Sequence, residues 1–218
     1  MQARGYMAIV GSRKVPEWVL EVMIRLGRTL TDYGWAISSG DAFDSDRAGW
    51  YGARQSRSYS EVGARIYLAS GRGSSFYRIR DNDFFIDASQ FTDTWTTAAS
   101  MAALARGSFA GLDDYGKALH TRNVFQIHGH TLAELVSGIF YYAEPKGKRE
   151  NEIVNGGTNT AVRLSVNANV PIRKNLYYDD VLEWVIQFLD RYELDYPYEE
   201  INWHAIHHPK DPRLLDFD

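Results

Sequence analysis

Three short segments of this chain carry side chains whose type and spacing suit chemistry. Gly11-Ser12-Arg13 sets a permissive glycine, a hydroxyl and a fixed positive charge side by side, a group that can meet phosphate, although a tight turn with a surface arginine explains the same residues. Ser39-Gly40-Asp41-Ala42-Phe43-Asp44-Ser45-Asp46 gathers three carboxylates within six positions, able to orient a ribose, to act as an acid and base pair, or simply to cap a helix. It lacks the glycine and terminal glutamate of a calcium loop. Gly156-Gly157-Thr158-Asn159-Thr160 has paired glycines with hydroxyls beside them, and a helix dipole behind them would complete an anion cradle of main-chain N–H groups. It is neither a Walker loop nor a dinucleotide Gly-x-Gly-x-x-Gly, so ATP hydrolysis has no support. Arg122-Asn123 and the strand before Glu144 add a fourth pair of segments that say little in isolation.

Other chemistries find less. His120, His128, His130, His204, His207 and His208 lack a known zinc spacing and read as solvated or core histidines, so no metal and no cofactor is expected. There is no Gly-x-Ser-x-Gly elbow, and the absence of cysteine removes thiolate catalysis and disulfides together.

These segments need elements to position them. Tyr6–Val10, Trp35–Ser38 and Ala64–Ala69 read as buried strands, separated by a helix opening at Pro16 and a shorter one capped near Asp46. Strands alternating with helices predict an α/β Rossmann-like, doubly wound, mainly parallel sheet with helices on both faces. Phe84–Ile86 is a short strand or a buried contact, and Thr97–Arg106 is an alanine-rich helix without a readable place. Order resumes at Val124–Ile127 and at the strong strand Gly138–Ala143. A helix over Ala161–Ala168, a strand at Val170–Ile172 and a helix capped by Asp179-Asp180 follow. In such a sheet, ligands bind beyond the carboxyl ends of the strands, where these loops converge.

Composition bounds the rest. The 218 residues, 44% hydrophobic and 24% charged, suit one globular domain over residues 1–192 with an acidic, aromatic tail over 193–218 that packs back on it. No apolar run suits a membrane span, so no membrane contact and a cytoplasmic location are expected. Net charge is −4, and the tail accounts for it: Glu193, Asp195, Glu199, Glu200, Asp211, Asp216 and Asp218 face only Lys210 and Arg213. The remainder is close to neutral, which disfavours broad nucleic-acid contact and leaves room for a small anion in one pocket.

Taken in order, the loops resemble the Rossmann-like domain of the DNA-processing protein A family (DprA, also called Smf), within the SLOG superfamily that includes the LOG nucleotide phosphoribohydrolases. Ala8–Arg13 resembles the opening strand and Gly-Ser/Thr-Arg turn, and Ser39–Asp46 with Gly52-Ala53 is similar to Ser-Gly-Gly-Ala-x-Gly-x-Asp and its following Gly-Ala. Arg122-Asn123 with Gly129 resembles Arg-Asn-x-x-x-x-Gly. Glu144, then Gly156 with Thr160-Ala161, resembles the closing strand end and Ser-Gly-x-x-x-Thr-Ala loop. The likeness covers residues 6–70 and 121–175; Asp41 and Asp44 replace glycines, and Gly71–His120 does not match.

The resemblance implies a binder of a nucleotide, another phosphorylated small molecule or a nucleic-acid end. Gly11, Ser12, Arg13, Ser39, Gly40, Asp46, Arg122, Asn123, Gly156, Gly157, Thr158 and Thr160 would form its site. It also implies a homodimer or higher homo-oligomer. The LOG pattern Pro-Gly-Gly-x-Gly-Thr-x-x-Glu has no matching carboxylate here, so a non-catalytic role leads. The alternative N-glycoside hydrolase or transferase would use Glu144 or Asp46 as its acid or nucleophile. DprA proteins bind single-stranded DNA, a third reading that would enlist Lys146, Lys148, Arg149, Arg72 and Arg78 with Phe76 and Tyr77 for stacking.

Overall fold

The computed structural model describes residues 3–71 and 84–207. Six parallel strands form one sheet: β1 (Gly5–Gly11), β2 (Trp35–Ser39), β3 (Ala64–Leu68), β4 (Phe85–Asp87), β5 (Gly138–Tyr142) and β6 (Ile172–Asn175). Their order is β4-β3-β2-β1-β5-β6. The chain winds outward from β1 to β4 and then returns to the other side of β1. The order therefore reverses between β1 and β5, the switch point at which such sheets leave a crevice beyond the strand ends.

Among the described residues eight α-helices cover the sheet: α1 (Glu17–Asp32), α2 (Ser45–Arg54), α3 (Tyr59–Val62), α4 (Thr92–Arg106), α5 (Asp114–His128), α6 (Thr158–Asn167), α7 (Asp179–Tyr192) and α8 (Trp203–His207). The two-residue period of β1 divides them. Met7 and Ile9 point to a core shared with α1, α2, α7 and α8, while Ala8 and Val10 point to a second core with α4, α5 and α6. Both faces are thus covered, as a fully parallel sheet requires. Among the described residues no helix is long and apolar enough to cross a membrane.

The architecture agrees with the sequence pattern, with local differences. The short run near Phe84 is a true edge strand, β4, paired in parallel with β3. Val124–Ile127 belongs to the last turn of α5, a fifteen-residue helix that the pattern did not announce because its exposed half is polar. The alanine-rich helix begins five residues earlier than its composition suggested, at Thr92, and the last strand starts after Pro171, whose ring cannot donate to the ladder.

Two features fix the loops that matter. Helices α1 and α2 cross backbone to backbone. A Cβ on Gly27 would lie 2.2 Å from the Gly49 carbonyl oxygen and one on Gly52 would lie 1.9 Å from that of Ile24, so α2 is seated at one depth behind β1. Residues 193–207 run back over the same side. Arg28, fully buried, lies between the rings of Tyr196 (3.5 Å) and Tyr198 (3.8 Å), and the Tyr196 hydroxyl donates to Asp32.

Candidate functional site

At the carboxyl ends of β1, β2 and β3, and against α5 and the start of α6, lies a cavity of about 630 Å³, within the usual range for small-molecule sites. Gly11, Ser12, Arg13, Asp46, Arg122, Asn123, Gly156, Gly157 and Thr158 all line it, although they come from four separate stretches of the chain.

Its floor is a buried ion pair. The Asp46 carboxylate accepts from the Gly11 amide (3.2 Å), the Ala42 amide (3.3 Å) and Arg122 Nη1 (3.2 Å). Burial pushes this carboxyl above its usual range, against the pull of Arg122 and of the two amides. Arg122 Nη1 also donates to the Tyr67 carbonyl (3.4 Å). Turned so that each atom finds its complement, the Gln126 amide accepts from Arg122 Nη1 (2.9 Å) and the Gly40 amide (2.6 Å) and donates to Asn123 Oδ1 (3.0 Å). Asn123 Nδ2 in turn donates to the Gly157 carbonyl (3.3 Å), tying α5 to the glycine loop. The spacing of Tyr115, Leu119, Arg122 and Gln126 is that of one helix face, which with the neighbouring His120 and Asn123 is how α5 offers side chains to the cavity.

Ser39, Gly40 and Thr160 do not line the cavity; they stand behind its wall. Ser39, wholly buried, donates its hydroxyl to the Ile9 carbonyl. Gly40 exists for proximity: a Cβ there would lie 1.2 Å from Arg122 Nη1 and 2.5 Å from Asp46 Oδ2. Thr160 Oγ1 is 2.8 Å from His120 Nδ1. Glu144 is exposed and outside the cavity, accepting from Asn155 Nδ2 (2.9 Å), so of the two catalytic carboxylate candidates only Asp46 meets it.

The remaining carboxylates of the second loop are engaged. Asp41 is paired with the buried Arg47 (3.2 Å). Asp44 sits at φ 61°, ψ −105°, a conformation that favours glycine, and its carboxylate holds the Val15 amide (3.1 Å) and His207 Nδ1 (2.9 Å). Arg13 and Lys14, which line the same cavity, are exposed cations whose side chains have no ion-pair partner among the described residues. There α6 begins without a side-chain cap, and the Gly157 and Thr158 amides have no protein acceptor among the described residues. Four cationic residues (Arg13, Lys14, Arg47, Arg122) and two carboxylates (Asp41, Asp46) therefore line this space, an electropositive balance.

Sequence reasoning missed His120, Tyr115 and Gln126, which face the cavity beside residues it did find. Of the residues suited to single-stranded DNA, Arg149 is held by Asp180 in two hydrogen bonds (2.8 and 2.9 Å) and lies over the Tyr178 ring, while Lys148 is 3.9 Å from Glu150. Neither lines the cavity, nor does Lys146. Arg72, Phe76, Tyr77 and Arg78 lie outside the described residues. Among the described residues no group of three or more His, Asp or Glu converges as a metal ion would need.

No protein-family model matches the chain, and no curated protein or solved structure matches it either.

Proposed function

We propose that this protein binds a nucleotide, or the phosphorylated end of a nucleic acid, in the cavity at the switch point, and holds it without chemistry in the manner of a DprA or SLOG-like sensor. One observation carries the reading: Arg13 and Lys14, two cations without an ion-pair partner among the described residues, line the same cavity as the uncapped start of α6. The phosphate would take the amides of Gly157 and Thr158, the Ser12 hydroxyl and the Arg13 guanidinium, a combination of fixed dipole and bidentate charge suited to an anion. Asn123 and Gly156 shape the same wall. Arg122 and Asp46 neutralise one another and serve chiefly as the rigid floor.

A binding role is favoured over glycoside cleavage because Asp46 already accepts three N–H groups, and Asp41, the other carboxylate lining the cavity, is paired with Arg47, so neither has the freedom of a nucleophile. The test is a thermal-shift panel of nucleotides and short phosphorylated oligonucleotides. A ligand at a hundred times its dissociation constant contributes about 2.7 kcal/mol, or roughly 5–10 °C for a chain of this size. Arg13→Ala should remove that shift; a shift that survives the substitution overturns the role given to Arg13. Chromatography of the same mixtures for free base separates binding from hydrolysis, and released base would replace the sensor reading with the enzymatic one.

A further inference from the structure

His120 stands on α5 one helical turn before Asn123 and lines the cavity. Its Nδ1 is 2.8 Å from Thr160 Oγ1, in the first turn of α6, and a Cβ built on Gly157 would come within 3.9 Å of its Cε1. The imidazole is thus packed directly beside the glycine loop. With Nδ1 taken by the threonine, Nε2 is the polar atom left to the cavity. Where Thr160 donates to Nδ1, the ring's single proton resides on Nε2, which makes it a donor.

We propose that His120 is a further anion contact of this site, and that binding a doubly charged phosphate or sulfate group there is coupled to protonation of its imidazole. The inference rests on the phosphate reading of the cavity and adds to it a residue and a charge class: a dianion, such as a terminal phosphomonoester, in preference to a singly charged diester.

The surroundings supply the physical reason. Arg106 at the end of α4 and Arg122, on α5 with His120, act on the ring with positive charge, and Arg13 and Lys14 line the same cavity. Phe109 packs near it from the preceding loop, its centroid 6.2 Å away, and α6 contributes the uncharged Thr160. Burial, then Arg106 and Arg122, holds the imidazole below its ordinary value, so the ring of the empty site is neutral at pH 7. An arriving dianion reverses the local field and favours the imidazolium, whose two N–H groups then bond Thr160 and the ligand. A neutral ring disfavours a second proton only until the anion arrives, so uptake accompanies binding.

Calorimetry with sodium sulfate, which keeps both charges across this range, tests the idea on the intact protein. Sulfate should bind roughly five- to ten-fold more tightly at pH 5.5 than at pH 8, the size that up to one unit of pKa coupling gives, and with net proton uptake in buffers of different ionisation enthalpy. His120→Gln keeps a donor but cannot become cationic; it should lose both the pH dependence of sulfate binding and the proton uptake. Equal affinity at both pH values with no proton uptake overturns the inference and leaves the phosphate reading standing. A pH dependence that persists in His120→Gln assigns it to another group and overturns the inference as well. If neither sulfate nor inorganic phosphate binds at either pH, the phosphate reading fails and this inference with it. Because proton uptake is measured on the natural chain, a variant that fails to fold does not remove the test.

Discussion

Replacing Gly40 with alanine should dismantle the floor of the cavity from the outside. The new methyl would stand 1.2 Å from Arg122 Nη1, 2.4 Å from its Cζ and 2.5 Å from Asp46 Oδ2. No relaxation of a few tenths of an ångström accommodates that, so the guanidinium must leave. It then forfeits the 3.2 Å pair with Asp46 and strands a carboxylate that is 3% exposed. Leaving one member of a buried pair uncompensated costs about 3–5 kcal/mol. At ~2–4 °C per kcal/mol for a domain of this length, the midpoint of unfolding falls by about 6–20 °C. The loss has a pH signature. The Asp46 carboxyl is already raised by burial and rises further without its arginine, so its ionised form opposes folding. The deficit is therefore fullest above its folded pKa and shrinks as pH falls toward the unfolded value of 3.8. Circular-dichroism melts of natural chain and Gly40→Ala at pH 5 and pH 7.5 measure it. Gly156→Ala is the control: that glycine has φ +76° but no atom within 4 Å of a built Cβ, so only backbone strain of about 1–2 kcal/mol is lost there. A Gly40→Ala deficit no larger than the control, or one that grows on acidification, refutes the account of the floor.

Two further outcomes follow from buried polar groups away from the floor. Arg28 is fully buried with Nε and Nη1 lacking an acceptor among the described residues, so Arg28→Met, which keeps volume and removes those atoms, should cost under about 1.5 kcal/mol, whereas Arg28→Ala should cost about 3 by opening a void under Tyr196 and Tyr198; equal losses in chemical denaturation would refute this. Burial pushes the Tyr67 phenol up to about 12, against the pull of Arg65, so its contribution is fully present below pH 10 and lost as pH rises through about 12; burial raises Tyr141 as well, so ultraviolet difference titration should find several tyrosines that ionise late, and Tyr67→Phe should reduce that late phase by one tyrosine without abolishing it.

The parallel sheet was legible because its central strands are short apolar runs bounded by turn residues, and burial on both faces demands that pattern. Loops at strand ends were legible as well, since glycine, serine and charged residues cluster there for steric and electrostatic reasons that act locally. What could not be read were side chains brought to the cavity by helices whose own burial is incomplete. α5 buries Thr121–Ile127 yet exposes Asp114 and Tyr115, so its periodicity is blurred, and His120 looked like any histidine. Ser39 and Gly40 show the converse. Their types suit a ligand, but contact with Ile9 and Arg122 requires the same types, and only three-dimensional neighbours separate the two demands.

Asp41 and Asp44 pose the sharpest electrostatic question for the proposed anion site, because two uncompensated carboxylates in the loop after β2 would oppose a bound anion. The structure answers with partners: Arg47 for Asp41, and the Val15 amide with His207 for Asp44. Asp44 therefore does structural work, fastening the turn after β1 and α8 to the start of α2. Asp41 is different, since it lines the cavity and its charge, though paired, still subtracts from the field there. At effective dielectric constants of roughly 40–80, suited to a solvent-open cavity, a unit charge about 10 Å away contributes on the order of 0.4–0.8 kcal/mol. If the ligand is an anion that does not touch this residue, Asp41→Asn should tighten binding about two- to five-fold at low salt, an advantage that salt near 0.5 M largely screens away. The ordering of affinities across that salt range is the measurement. Weaker binding by Asp41→Asn at every salt concentration would mean that the carboxylate accepts hydrogen bonds from the ligand itself, as a ribose hydroxyl would supply, and would move Asp41 from the rim into the recognition surface.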